Sequence, residues 1–392
     1  MRRNAIILVI IVIAQFCCTS LWFASNAVID AIANAFFLQD SAIGYLTSAV
    51  QFGFIIGTLV FAILTIADRF SPSKVFFICA AIGSFFNLLM VMESHSLQSL
   101  LLLRALTGFF LAGIYPVGMK IAADYFNKGL GLSLGFLVGA LVVGTAFPHL
   151  LSDIVPSSQW RLVVYITSIV AIFGGLLMLA FVPNGPHRIA SKGFDFKAFS
   201  KVFRNVPFRA AAFGYFGHMW ELYTFWAFVP AILATYNNLN ANAEFNIPLW
   251  SFIIIAVGGL ACVIAGLVSK KIGVKTTAFK MLLLSGLCCM LSPLMFGLAN
   301  PIVFIVFLIF WGFVVIADSP LFSTLIAQNA NPHLKGTALT IVNCIGFSIT
   351  IISILLLTTM SKFFDNTNIY SILAIGPLFG LWALRKKDNK LI

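Results

Sequence analysis

Long apolar runs alternate with short polar punctuation twelve times along this chain. The runs read as helices at Ile6–Val28, Ala42–Ile66, Val75–Met92, Leu97–Ala123 and Gly129–Leu151, then from Trp160-Arg161 to Val182-Pro183. Six more follow at Phe208–Tyr236, Leu249–Val268, Thr277–Leu298, Ile302–Ile326, Leu339–Thr359 and Ile369–Leu384. Each is near the ~20 residues that an α-helix needs to cross hydrocarbon. Because the runs are continuous rather than alternating, an outer-membrane barrel is excluded. The first run follows Met1-Arg-Arg but continues past a signal peptide's apolar core without an Ala-x-Ala-like site, so it predicts an uncleaved span.

Composition agrees: 61% of residues are hydrophobic and only 9% charged, against about 25% charged in ordinary domains. The predicted fold class is an all-α polytopic membrane protein with twelve transmembrane helices. The seven cysteines lie inside predicted spans without zinc or redox spacing, and read as small packing residues. No cofactor or metal is expected.

The punctuation carries the charge. With an even number of spans both termini share one side, which collects Arg2, Arg3, Arg69, Lys74, Lys120, Lys128, Lys270, Lys271, Lys275, Lys335 and the C-terminal cluster. The opposite side has only Arg161 and Lys362. The excess of basic residues predicts that the rich side is cytoplasmic in a bacterial inner membrane. The net charge of +12 is thus an orientation signal rather than a nucleic-acid footprint. One longer polar stretch, 184–207, interleaves basic residues with Phe194, Phe196, Phe199 and Phe203, the pattern of an interfacial amphipathic helix. It divides a half at 1–183 from a half at 208–392.

Polar residues inside the spans are the candidate chemistry. His218 and Glu221 are three apart in the seventh run and share a helix face. An ionisable group there costs about 2.5–3.5 kcal/mol on insertion scales and marks a functional site by default. The alternative is a Glu221 that only fastens the bundle. Helix rise places both groups near midplane. Trp22 and Asn26 share a face of the first run, either to line a cavity or to hydrogen-bond between helices, and Gln51, Arg104, Tyr115, Trp220, Tyr223 and Asn343 complete a candidate substrate cavity. Asp318 is a further candidate proton site, or a gate partner for Lys120. Asp40-Ser41 is a candidate helix cap, and Gly53-x-x-x-Gly57 predicts close helix approach.

The chain also repeats. Gly108 and Gly312 are 204 apart, as are Pro116 and Pro320, and Lys128-Gly129 recurs as Lys335-Gly336. Two parallel six-span repeats are a transporter architecture with a midplane solute site.

This arrangement resembles the major facilitator superfamily over essentially the whole chain. Asp68, Arg69 and Lys74 look like part of its signature after the second span, although Leu64 stands for the first glycine. The resemblance implies that these three form a conformational latch. Arg104-x-x-x-Gly108 is similar to the fourth-span motif, whereas Gly144-Thr-Ala-Phe-Pro148 departs from the antiporter motif. The stretches around His218 and Ala317-Asp-Ser-Pro look like a little-characterised bacterial branch loosely near nitrate- and cyanate-type carriers. The second and eighth spans lack the arginines that a nitrate carrier needs.

The expected function is secondary active transport of a small organic solute by alternating access, coupled to protons. Efflux of amphiphilic compounds is the alternative within transport, and a non-transporting membrane sensor the alternative outside it. With no ATP-binding motif and no paired catalytic constellation, neither a pump nor an enzyme is expected. The expected partners are a small-molecule substrate, protons and membrane lipid, not nucleic acid, with the protein a monomer.

Overall fold

A computed structural model describes residues 2–39, 41–126, 130–188, 202–331, 334–364 and 367–385, with backbone alone at 2–4 and 130–132. Asp40, Lys128-Gly129, most of the expected amphipathic segment (189–201) and the basic C-terminus beyond Arg385 lie outside the described residues. All regular elements among the described residues are helical. Ten of these helical stretches are long and apolar enough to cross a membrane. Two more lie outside that count: the short apolar first helix and the seventh-run helix, whose 34 residues span about 51 Å but carry many polar groups. The chain divides into two compact units, Met1–Ser191 with Asn246–Gly259, and Lys192–Phe245 with Leu260–Ile392.

The first unit contains α1 (Arg2–Thr19), α2 (Ile29–Phe36), α3 (Ala42–Ile63), α4 (Pro72–Leu89), α5 (Leu97–Leu111), α6 (Tyr115–Tyr125), α7 (Leu130–Ile154) and α8 (Arg161–Phe181). The expected continuous first span is corrected here. Its α-helix stops at Thr19, turns through 20–25 and resumes as a 3-10 turn at Asn26–Val28. The predicted connector after it is largely helical, because Ile32 and the flanking Val28 and Phe36 bury themselves against Leu46, Met90, Leu100 and Trp160. Phe37 ends α2 in the left-handed conformation (φ 52°). Ser41 precedes α3 without a side-chain cap bond, so the expected cap is not made by that residue.

Helices α3 and α5 pack at backbone distance. A Cβ on Gly53 would fall on the carbonyl of Ala105, and one on Gly108 would fall on the carbonyl of Val50. Small residues there let two backbones meet.

The second unit contains α9 (Val206–Leu239), α11 (Val274–Phe296), α12 (Pro301–Ala317), α13 (Ser319–Asn329), α14 (Lys335–Phe363) and α15 (Ile375–Arg385). The unit boundary falls within α10 (Ile247–Ile272). Helix α9 packs on α13, α14 and α15. Gly217 and Gly376 meet carbonyl to Cα, again because neither carries a side chain.

The internal repeat reaches the helix breaks. The stretches Leu97–Tyr125 and Pro301–Asn329 are both 29 residues long, and their two outer ends each differ by 204. Each breaks just before a proline, Pro116 in α6 and Pro320 in α13, which sits in the first turn of the resumed helix. A proline there lacks only an N–H that would have been unpaired anyway.

Candidate functional site

Helix α9 carries His218 and Glu221 three residues apart on one face, and the tenth-run segment α12–α13 supplies a partner to each. His218 Nδ1 lies 2.8 Å from Asp318 Oδ1, with both side chains buried. Asp318 occupies the junction between α12 and α13. The expected Asp318–Lys120 gate is corrected: Asp318 pairs with His218, and Lys120 pairs elsewhere.

Glu221, one turn further along α9, is surrounded by neutral hydrogen-bonding groups. Trp311 Nε1 donates to Oε1 at 2.7 Å, and Ser285 Oγ sits 2.9 Å from Oε2. Trp311 and Asp318 are seven residues apart, two turns of helix. The serine hydroxyl also reaches the Leu282 carbonyl at 3.1 Å. A hydroxyl has one proton and two lone pairs. It therefore donates to a Glu221 carboxylate, or donates to Leu282 while accepting from a protonated Glu221. One geometry accommodates both charge states.

Trp220 and Tyr223 have partners of their own among the described residues. Trp220 Nε1 donates to the Ile372 carbonyl at 3.2 Å, in the 3-10 segment Thr367–Ala374. Tyr223 packs against the rings of Trp226 and Phe347. Asn343 is half-buried on α14. Sequence reasoning missed Trp311 and Ser285. The available signal was a tryptophan two turns before an intramembrane aspartate; nothing local marked the serine.

In the first unit Arg104 is fully buried. Its guanidinium donates to the carbonyls of Leu21 (3.1 Å) and Trp22, and to Asn87 Oδ1 at 3.3 Å. The break after α1 leaves these carbonyls without helical partners, and a cation is favoured where a helix ends in free carbonyls. Arg104 thus fastens α5 to the broken first span. Tyr115 is half-buried at the start of α6. Trp22, Asn26 and Gln51 are each buried.

The third group lies at the end of this unit bearing the turn Ile66–Arg69. Lys120 Nζ is 2.7 Å from Asp68 Oδ1 and 3.9 Å from Asp124 Oδ1. Arg188 donates to the Asp68 carbonyl at 2.7 Å and the Phe70 carbonyl at 2.8 Å. His187 N donates to the Asp124 carbonyl at 3.0 Å. Arg69 donates to the Thr65 hydroxyl at 3.0 Å, and Lys74 is exposed. Among the described residues, Asp68 is the expected latch residue that enters an ion pair, with a lysine that sequence reasoning had assigned elsewhere.

A broken-helix bundle with buried ionisable groups defines a multi-pass integral membrane protein. A family model described as Major Facilitator Superfamily matches residues 11–354, and the chain belongs to that family. It is accordingly a transporter and not an enzyme. Solved structures agree on the fold. A mutant of the nucleoside transporter NupG matches with a TM-score of 0.72 at 13% identity, over 96% of this chain and 98% of that one. The proton:xylose symporter XylE, bound to 6-bromo-6-deoxy-D-glucose, matches with a TM-score of 0.74 at 14% identity, over 97% and 95%. No curated protein matches the sequence.

Proposed function

We propose that this protein is a proton-coupled secondary active transporter of a small organic solute, with Glu221, His218 and Asp318 as its coupling groups. The observation that carries this reading is the buried His218–Asp318 pair one helical turn from a Glu221 whose neighbours suit both of its charge states.

The physics is charge bookkeeping in a low dielectric. An uncompensated ion in hydrocarbon is costly, so a carrier must present a neutral interior when it changes access. A His218–Asp318 pair is neutral overall when the imidazole is protonated. Glu221 is neutral only with its own proton. Proton arrival at Glu221 would complete neutrality, and departure would restore a charge that favours the open, hydrated state. Such a cycle needs a carboxyl held by donors that do not lock it in one form, as Trp311 and Ser285 hold Glu221.

Two structural neighbours are described as carriers of a nucleoside and of xylose, the second with protons. At this identity they support the fold, and their cargo supports the proposed reading only by analogy. On the same reading, the 1–183 and 208–392 halves are the two repeats. Asp68, Arg69 and Lys74 act in the conformational cycle. The basic excess places both termini in the cytoplasm of a bacterial inner membrane, and the chain works as a monomer.

The test is counterflow and accumulation in proteoliposomes, with and without a pH gradient. Solute accumulation driven by an inward proton gradient is expected. Solute exchange indifferent to pH and to Glu221→Gln would leave a carrier but remove proton coupling. No flux of any solute would favour a sensor.

A further inference from the structure

In the first unit, the broken end of the first span lies along one face of α3 and is tied to it at two points. Asn26 Nδ2 donates to Thr47 Oγ1 at 2.7 Å. The rings of Trp22 and Phe54 lie with centroids 4.9 Å apart. Thr47 and Phe54 are seven residues apart, two turns of α3, so the side chain between them on that face is Gln51. Gln51 is completely buried, yet neither its amide nitrogen nor its amide oxygen has a hydrogen-bond partner among the described residues. The same is true of Asn26 Oδ1 and of Ser48 Oγ, one turn before Gln51.

Buried polar groups in native proteins are nearly always paired, so unpaired ones call for an explanation. Four such atoms bracketed by one aromatic pair and one asparagine form a built site rather than scattered defects. We infer that Asn26, Ser48 and Gln51 form a solute subsite for an uncharged, hydroxyl-bearing molecule, with the Trp22–Phe54 pair as its apolar wall.

The chemistry selects this class. A carboxamide offers a donor and an acceptor side by side, and a serine hydroxyl offers both. Hydroxyls on adjacent carbons answer both roles at once. None of the three side chains carries charge. Arg104, a buried cation of this unit, directs its two Nη groups to the neutral acceptors of Leu21, Trp22 and Asn87. A charged solute group would be desolvated here with no opposite charge on any of these three side chains, which is strongly unfavourable. An aromatic wall beside a few polar groups is the common build of a small-molecule site.

This inference rests on the transport reading and is tested separately from it. The full chain in detergent is titrated with glucose, ribose and inositol, and with glucuronate and glucosamine as charged counterparts, reading the melting temperature. The same solutes are then followed by counterflow in proteoliposomes. At least one neutral compound is expected to raise the melting temperature, with its charged counterpart at least tenfold weaker. Gln51→Met keeps shape and removes both hydrogen-bonding ends. It is expected to weaken the neutral compound at least tenfold while the solute-free protein melts at or above the wild-type temperature, since no protein bond is lost. A solute-free Gln51→Met that melts clearly lower makes Gln51 structural and overturns the inference. So do an unweakened response in that variant, a response to charged members alone, and no response to any neutral member. A melting shift without counterflow keeps the subsite and sinks transport. Counterflow of a charged solute, unaffected by Gln51→Met, keeps transport and sinks the subsite.

Discussion

Nδ1 of His218 and Oδ1 of Asp318 stand 2.8 Å apart with no solvent exposure to speak of, one in the middle of a helix and the other at a helix break. Removing one member of a buried pair strands the other as an unpaired polar or charged group, typically at about 3–5 kcal/mol. His218→Leu and Asp318→Leu are each expected to lower unfolding stability by that order. The double variant, which removes both charges, should recover most of the loss. Chemical unfolding in detergent measures this; additive losses in the double variant would show that the two residues act independently.

Glu221→Gln keeps the shape, accepts from Trp311 through its amide oxygen and donates its amide N–H to the Ser285 hydroxyl, but cannot titrate. Accumulation driven by a pH gradient is expected to fall at least tenfold, while exchange of solute without net proton movement persists. Full accumulation by this variant would return Glu221 to a purely structural role.

The Lys120–Asp68 pair is partly exposed, with side chains 25% and 17% accessible. Such pairs contribute roughly 0–1 kcal/mol. Asp68→Asn should therefore leave the melting temperature within a few degrees while turnover drops several-fold at unchanged KM. The swap Asp68→Lys with Lys120→Asp should restore part of the turnover. A KM effect with normal turnover would place Asp68 in binding instead.

Arg104→Leu removes a donor set that serves two backbone carbonyls and Asn87. Each unsatisfied buried acceptor is worth about 1–3 kcal/mol. A loss of several kcal/mol is expected, and Arg104→Lys should not restore it, because one ammonium cannot reproduce the planar fork. Wild-type stability in Arg104→Lys would mean that charge alone suffices.

Gly53 and Gly266 form an internal contrast. A methyl group on Gly53 would collide with the Ala105 backbone, whereas among the described residues nothing outside the local helix backbone lies within 4 Å of one on Gly266. Gly53→Ala should abolish folded yield or lower stability by several kcal/mol. Gly266→Ala should be neutral or slightly stabilising, since alanine is the better helix former by about 1 kcal/mol. Equal behaviour of the two would contradict the close approach of α3 and α5.

The apolar runs alone determined the class of protein, because the length of a membrane-crossing helix is set by the bilayer and not by its neighbours. The 204-residue offset was likewise legible, since glycine and proline act on their own backbone wherever they stand; it reappears in the breaks before Pro116 and Pro320. His218 and Glu221 announced themselves because charge in an apolar run is costly whatever surrounds it. Their partners did not. Asp318 turned to His218 rather than to Lys120, Trp311 and Ser285 closed around Glu221, and Arg104 found the broken carbonyls of Leu21 and Trp22. Those pairings join helices far apart in the chain, and hydrogen-bond geometry between helices has no local sequence signature. The break after Thr19 was missed for the same reason. Its turn carries neither glycine nor proline, and its carbonyls are satisfied by an arginine from α5, so only the packed fold shows why the helix can stop there.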